Sequence, residues 1–323
     1  MTVLVTGAAG FIGSHVSRAL LARDERVLGI DNLNDYYDVR LKQARLDTLT
    51  KNAGFEFLKA DISDREAMLA IAGRGEPVDG IVHLAAQAGV RHSLIDPFIY
   101  IQSNVMGQVV MLELARRLKG LKHFVYASSS SVYGGNTDLP FAVAQPVEKP
   151  NSLYAATKRS DELIGYTYAH LYGIAATGLR FFTVYGPWGR PDMAAFIFTR
   201  AILAGEPIPV FNFGEMRRDF TYIDDITNGV IRALDRPPRG KPAHALYNLG
   251  NNKSEKLLDF IATLERALGI EAVKRLEPLQ PGDVPATYAD IEASTRDLGF
   301  LPSTPISVGL PKFVTWYRAY YGL

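Results

Sequence analysis

Two hydrophobic rhythms alternate along the first half of this chain. Short apolar runs stand at residues 2–6, 27–30, 55–59, 81–84, 123–127 and 177–182. Runs of this length read as strands buried on both faces of a sheet. The fourth leads on through small residues, so that strand is expected over 81–87. Between the runs, apolar residues recur at helical spacing over about 11–22, 63–72, 101–118 and 152–172. Residues 32–53 are polar and aromatic and predict a loop followed by a helix. Strands alternating with helices predict an α/β fold with a parallel sheet covered on both sides. Past residue 182 the alternation lapses, and Pro187, Pro191, Pro207 and Pro209 punctuate shorter elements. Two parts are therefore expected. Residues 1–180 form the wound sheet, and 181–323 form a smaller α/β part that returns segments to it.

Composition narrows the class. The 323 residues are 47% hydrophobic with a net charge of +1, which is a globular balance with neither a nucleic-acid footprint nor an acidic tail. There is no cysteine, which removes disulfides, thiolate metal sites and cysteine nucleophiles. The six histidines show no metal-ligand spacing, and no metal site is expected. No apolar run approaches the ~18 residues of a membrane span. The opening apolar residues are interrupted by glycines and read as strand, turn and helix, not as a leader. A cytoplasmic enzyme is the expectation.

The glycines give the first chemistry. Gly7, Gly10 and Gly13 follow the first strand and open the first helix, and the second strand ends at Asp31. A tight small-residue turn lets the backbone approach a pyrophosphate, and the helix N-terminus offers free N–H groups to its charge. An acid at the end of strand two accepts hydrogen bonds from the adenosine ribose and repels a 2′-phosphate. The pattern predicts a doubly wound sheet of Rossmann type that binds NAD in preference to NADP. Asp61, just past strand three, either binds the adenine amino group or caps the next helix. The small residues after strand four permit close contact with a dinucleotide.

Tyr154 and Lys158 lie one turn apart on one helix face. A free phenol titrates near ~10 and is a poor base at neutral pH. A neighbouring ammonium favours the phenolate. Strand five delivers Ser128, Ser129, Ser130 and Ser131 at its carboxyl end, where open α/β sheets bind ligands. A serine hydroxyl there holds a substrate oxygen while the phenolate removes its proton and a hydride leaves the carbon.

With these residues in place, the chain resembles the extended short-chain dehydrogenase/reductase family of nucleotide-sugar enzymes over nearly its whole length. The motifs are Gly7-x-x-Gly10-x-x-Gly13, Asp31, Asp61-Ile62, 83–86, 128–134, Tyr154-x-x-x-Lys158, 218–225 and Pro281-Gly282-Asp283. Within the family, stretches 31–37, 86–91, 184–193 and 280–288 are most similar to the epimerases that act on UDP-glucuronate. The resemblance implies roles. Tyr154 is the general base, assisted by Lys158, Ser129 and Ser130. Gly7, Gly10, Phe11, Ile12, Gly13, Asp31, Asn32, Asp61, Ile62, Leu84, Ala85, Ala86, Asn104, Tyr154 and Lys158 hold NAD. Gln87, Arg91, Ser129, Ser130, Ser131, Thr183, Arg190, Arg218 and Asp283 meet the UDP-sugar, with Arg218 at the phosphates.

The resemblance also separates reactions. Related dehydratases carry an Asp-Glu pair where this chain has Ser130-Ser131, and related decarboxylases carry a Glu at the second position. The lack of either acid implies simple reversal at C4, through a 4-keto sugar that turns over. For a uronate that intermediate is a β-keto acid, and Arg190 is expected to fix its carboxylate bidentately against loss of CO₂. Two other readings stand beside this one: a 4-epimerase of neutral or N-acetylated UDP-hexoses, and a non-catalytic NAD-binding regulator. The stripes on helices 101–118 and 153–172 resemble those that pair such enzymes as homodimers. Tyr36 and Tyr37 are expected to pack an edge rather than to meet substrate.

Overall fold

The computed structural model describes residues 1–280 and 284–323. Asp283, with the rest of the Pro281-Gly282-Asp283 motif, lies outside the described residues. Six strands in the first 181 residues alternate with helices. They are β1 (Thr2–Thr6), α1 (Phe11–Leu21), β2 (Arg26–Asp31), α2 (Val39–Leu49), β3 (Phe55–Lys59), α3 (Arg65–Ala70), β4 (Gly80–His83), α4 (Pro97–Tyr100), α5 (Gly107–Arg117), β5 (His123–Ser129), α6 (Leu153–Tyr172) and β6 (Ala176–Phe181).

Then come β7 (Thr183–Tyr185), α7 (Ala194–Leu203), β8 (Ile208–Val210), β9 (Arg217–Arg218), β10 (Phe220–Tyr222), α8 (Ile223–Leu234), β11 (His244–Leu249), β12 (Glu255–Lys256), α9 (Leu257–Leu268), β13 (Lys274–Leu276) and α10 (Ile306–Tyr321). Among the described residues, no helix is long and apolar enough to cross a membrane.

The main sheet has seven parallel strands in the order β11-β6-β5-β4-β1-β2-β3. This is the doubly wound arrangement expected from the alternating pattern. Side chains alternate across it and both faces are buried. Val3 and Val5 of β1 enter one apolar core and Leu4 the other. On β5, Val125 faces the first core while Phe124 and Tyr126 face the second. Each such aliphatic side chain removed from water contributes roughly 1.5–3 kcal/mol. The seventh strand, β11, comes from the second half of the chain and pairs with β6 along its whole length. Three two-stranded sheets, β10-β7, β12-β9 and β13-β8, lie in the remaining C-terminal part.

Two elements depart from expectation. Strand four stops at His83 instead of running to 87. Leu84 N still reaches Thr6 O at 3.3 Å and also faces Thr6 Oγ1 at 3.1 Å, but Ala85 N turns to that hydroxyl alone, also at 3.1 Å, and Gln87 N is taken by the Asn104 side chain, so the ladder ends here. The helix expected from residue 101 starts earlier, at Pro97 behind the Asp96 cap. It passes through a wide turn at Ile101–Met106 before becoming regular at Gly107. Wide turns of this type are frequent at functional sites. This one carries Asn104.

One buried ion pair locks α6 to the sheet. Arg180 of β6 and Glu162 of α6 are each 1% exposed, with Nε to Oε1 at 2.7 Å and Nη2 to Oε2 at 2.9 Å. Ser128 Oγ donates to the same carboxylate at 2.6 Å, and Arg159 at 2.8 Å. Burial alone would raise the Glu162 carboxyl, but Arg180, Ser128 and Arg159 hold it below its ordinary range. Its folded value is below its unfolded one. The stabilisation is therefore present above about pH 4.3 and is lost as pH falls through the folded value. Removing one partner strands the other charge, and Arg180→Met should cost about 3–5 kcal/mol in urea unfolding. Adding Glu162→Gln should recover part of it; an Arg180→Met protein as stable as the parent would show that the pair holds nothing.

Candidate active site

The site forms where the strand order reverses, between β1 and β4. Ligands bind at such switch points, outside the carboxyl ends of the strands. After β1 the chain turns at Gly7, which has φ +70°, and a Cβ there would stand 2.9 Å from the amide N of Ala85. Six residues on, a Cβ at Gly13 would stand 2.0 Å from Gly7 O. The two crossing loops thus touch backbone to backbone, and side chains are shut out where a dinucleotide would lie. A cavity of 590 Å³ opens over them.

Its floor brings together most of the residues expected to hold a cofactor. Gly7, Gly10, Phe11, Ile12, Gly13, Asp31, Asn32, Asp61, Ile62, Leu84, Ala85 and Ala86 all line it. Asp31 is 9% exposed and accepts from Ala9 N at 3.1 Å and Leu33 N at 2.9 Å. Burial lifts its carboxyl above the ordinary range, partly offset by those amides and the Lys42 charge. Asp61 does not cap α3; Asp64 does, accepting from Ala67 N. Asp61 instead receives the Asn32 amide at 2.8 Å and the Ser63 amide and hydroxyl. Asn104 stands behind the wall. It is 1% exposed, accepts from Gln87 N at 2.8 Å and donates to Gln87 O and Thr157 Oγ1.

The opposite wall carries the serine run, Tyr154 and Lys158. Ser152 caps α6 by accepting from Ala155 N at 3.1 Å, which sets Tyr154 and Lys158 in the first turns. Both line the cavity with Ser129, Ser130 and Ser131. Ser129 Oγ accepts from Ser131 N and donates to Ser131 Oγ, both at 3.1 Å. Ser128 lines the cavity as well, but its hydroxyl is given to Glu162. The Tyr154 ring meets the edge of Tyr100 at a centroid distance of 6.1 Å. Lys158 Nζ lies 2.8 Å from Asp161 Oδ2. Burial pulls that ammonium down, but the charge and hydrogen bond of Asp161, with the Tyr154 and Glu162 charges, together hold Lys158 above its ordinary range.

Gln87, Arg91, Thr183, Arg190 and Arg218 complete the lining. The Arg91 guanidinium lies 5.3 Å from the Phe211 ring centroid. Arg218 Nη1 donates to the carbonyls of Arg217 and Pro285, while the Arg217 side chain turns to Ser254. The Arg190 guanidinium is engaged by Asp192, with Nε to Oδ1 at 3.0 Å and Nη2 to Oδ2 at 2.5 Å. Tyr36 donates to the same Asp192 at 3.1 Å and lines the cavity, so it is not the edge-packing residue expected.

Sequence reasoning missed Arg45 altogether. It is 0% exposed and donates to Ala9 O of the glycine loop, to the Tyr37 hydroxyl, and to the carbonyls of Trp188 and Gly189 just before Arg190. Nothing in the local pattern of α2 signals this, because its acceptors lie up to 144 residues away.

The model of the NAD dependent epimerase/dehydratase family matches residues 3–250. UDP-glucuronate 4-epimerase 2 of Arabidopsis thaliana is 47% identical over 334 residues, covering 99% of this chain and 76% of its own. An uncharacterised 37.6 kDa protein of Escherichia coli O111:H- is 52% identical, covering 99% of each. A solved structure of the UDP-glucuronic acid 4-epimerase of Bacillus cereus, in complex with UDP-glucuronic acid and NAD, superposes with a TM-score of 0.91 at 35% identity. The match covers 99% of this chain and 100% of that one.

The crowding at Gly7 gives a direct test of the cofactor floor. Gly7→Ala forces a Cβ into the Ala85 backbone and an alanine into left-handed φ, at a cost of about 1–2 kcal/mol before any clash. NAD retained through purification, released by denaturation and quantified by chromatography, should fall about tenfold or more. Retention at the parent level would place the dinucleotide elsewhere.

Proposed function

The chain belongs to the NAD dependent epimerase/dehydratase family, and from that membership we propose that it interconverts UDP-glucuronate and UDP-galacturonate by inverting the sugar at C4. One observation carries the reading. A single cavity gathers Tyr154, Lys158 and Ser129 on one wall and Arg190 on another, with serines at 130 and 131. The backbone cradle at Gly7 and Gly13, and the acid at Asp31, fit a dinucleotide without a 2′-phosphate. The UDP-glucuronate epimerases among its relatives point the same way.

NAD, when bound, supplies reversible hydride transfer at the sugar C4. The residues of the chain do the rest. Tyr154 takes the C4 hydroxyl proton and later returns it. Lys158 favours the phenolate, and Ser129 with Ser130 holds the C4 oxygen. Gln87, Ser131 and Thr183 bound the sugar, and Arg91 and Arg218 supply positive charge for the diphosphate. Arg190 grips the C6 carboxylate, so that the C5–C6 bond stays out of line with the ketone π system and CO₂ is kept. In this scheme residues 1–180 bind NAD and 181–323 mainly hold the UDP-sugar, with β11 lent back to the sheet.

One feature favours a second reading. Asp192 already satisfies Arg190, and if it keeps that place a neutral hexose fits the site better than a uronate. Incubating the purified protein with UDP-glucuronate or UDP-glucose, without added NAD, and resolving products by chromatography separates the two. We expect UDP-galacturonate from the first and little turnover of the second. Arg190→Ala should lose UDP-glucuronate turnover selectively; equal loss on both sugars removes Arg190 from the carboxylate role, and a pentose product would mean decarboxylation.

We further propose a homodimer through the outer faces of 94–117 and α6. Leu94, Ile95, Phe98, Leu163 and Leu171 are all exposed there, Phe98 to 82%. Contiguous apolar surface of this kind marks an interface. Sedimentation equilibrium should return twice the 35.6 kDa chain mass, and Phe98→Asp with Leu163→Asp should return the monomer. A monomeric parent would overturn this.

A further inference from the structure

Two acids follow one another on α6, and their surroundings differ. Glu162 is satisfied by Arg180, Ser128 and Arg159. Asp161 is 2% exposed, and only its Oδ2 is engaged, 2.8 Å from Lys158 Nζ. Its Oδ1 has no hydrogen-bond partner among the described residues. A buried carboxylate left half satisfied weakens a fold. As a stabilising device Asp161 is poorly built, and its contact with Lys158 calls for another account.

The charges facing this pair come from every neighbouring element. From β4, His83 is fully buried with Nδ1 at 2.7 Å from Thr6 Oγ1, and burial with the Lys158 charge pushes it down to about 3, so it is neutral. From β5, burial holds the Tyr126 phenol well above its ordinary value, so it is neutral too. The helix before α6 offers two amides and a phenol: Gln108 donates to the Asp161 carbonyl at 3.4 Å, Asn104 donates to Thr157, and Tyr100, whose ring meets Tyr154, is held well above its ordinary value by burial and stays neutral. On α6 itself, Glu162 is committed to Arg180. Among the described residues, the charges left to set the local field at Tyr154 are Lys158, Asp161 against it, and Arg190 across the cavity, itself paired with Asp192.

We propose that Asp161 is a positioning residue that fixes the Lys158 ammonium and offsets its charge, so that Tyr154 stays a base able to give its proton back. A lone buried ammonium would favour the phenolate so strongly that the return step, protonation of the new C4 oxygen, would slow. A reversible epimerisation needs both strokes. The inference rests on the reading of Tyr154 as the base.

Asp161→Asn keeps the shape and removes the charge. Tyr154 should then lose its proton more readily, and the acid limb of kcat/KM should move down by about one pH unit. The offset requires an ionised Asp161. Burial pushes that carboxyl up to about 6, so the parent and Asp161→Asn should converge below about pH 6. A readout independent of turnover is the ultraviolet difference titration of tyrosinate, comparing Asp161→Asn with Asp161→Asn/Tyr154→Phe. The component lost with Tyr154 should titrate about one unit lower than in the parent pair. Asp161→Glu should restore the parent profile. An acid limb and a Tyr154 titration both unmoved in folded Asp161→Asn would overturn the proposal. A phenol that shifts in a protein inactive on UDP-glucuronate would count against the substrate reading and for this one.

Discussion

The buried Arg180–Glu162 pair is the constraint on which the chemistry depends. Glu162 sits one turn past Lys158 on α6, and Arg180 sits on β6 directly beside Ser128 in the ladder. Ser128 completes the triangle by donating to the same carboxylate. One charged contact therefore fixes the helix carrying Tyr154 against the strand carrying Ser129. Hydrophobic packing alone would allow α6 to slide or turn at small cost. A bidentate guanidinium against a carboxylate does not. The arrangement trades stability for register, as buried ion pairs do in the best attested cases.

A second tie acts across the cavity. The Arg45 guanidinium reaches the glycine loop through Ala9 O and the Arg190 loop through Trp188 O and Gly189 O. Among the described residues no carboxylate bonds to it; three carbonyls and a phenol solvate it. The glycine floor of the cavity and its Arg190 wall are thus set relative to one another by this side chain. Tyr36, bonded to Asp192, adds a second contact from the 32–45 segment to the Arg190 loop. The 32–45 segment spans the two halves of the site.

The alternating sheet and helix pattern was legible because each buried strand must be apolar whatever it pairs with. The glycine turn, Asp31 and the Tyr154–Lys158 spacing were legible because their constraints are local: a left-handed φ, a strand end, one helical turn. Arg45, Asp161, Asp192 and the Arg180–Glu162 pair were not. Residues 158–162 read Lys-Arg-Ser-Asp-Glu, the composition of a solvated helix face, yet Lys158, Asp161 and Glu162 are all buried. Only contacts with β4, β5 and β6 make that possible. Arg45 likewise finds acceptors on loops 36 and more than 140 residues distant. Strand four was drawn too long for the same reason, since Thr6 and Asn104, remote in sequence, take its last amides.

The seventh strand has a consequence for synthesis on the ribosome. β6 emerges with one edge paired to β5 and the other bare until β11, more than sixty residues later, arrives to cover it. An open parallel edge lined by buried side chains is a template for the wrong partner. The nascent chain must hold that edge in waiting, and a product truncated near residue 180 never closes it. The two halves are therefore not interchangeable modules. The C-terminal half cannot be traded away without also giving up a strand of the sheet.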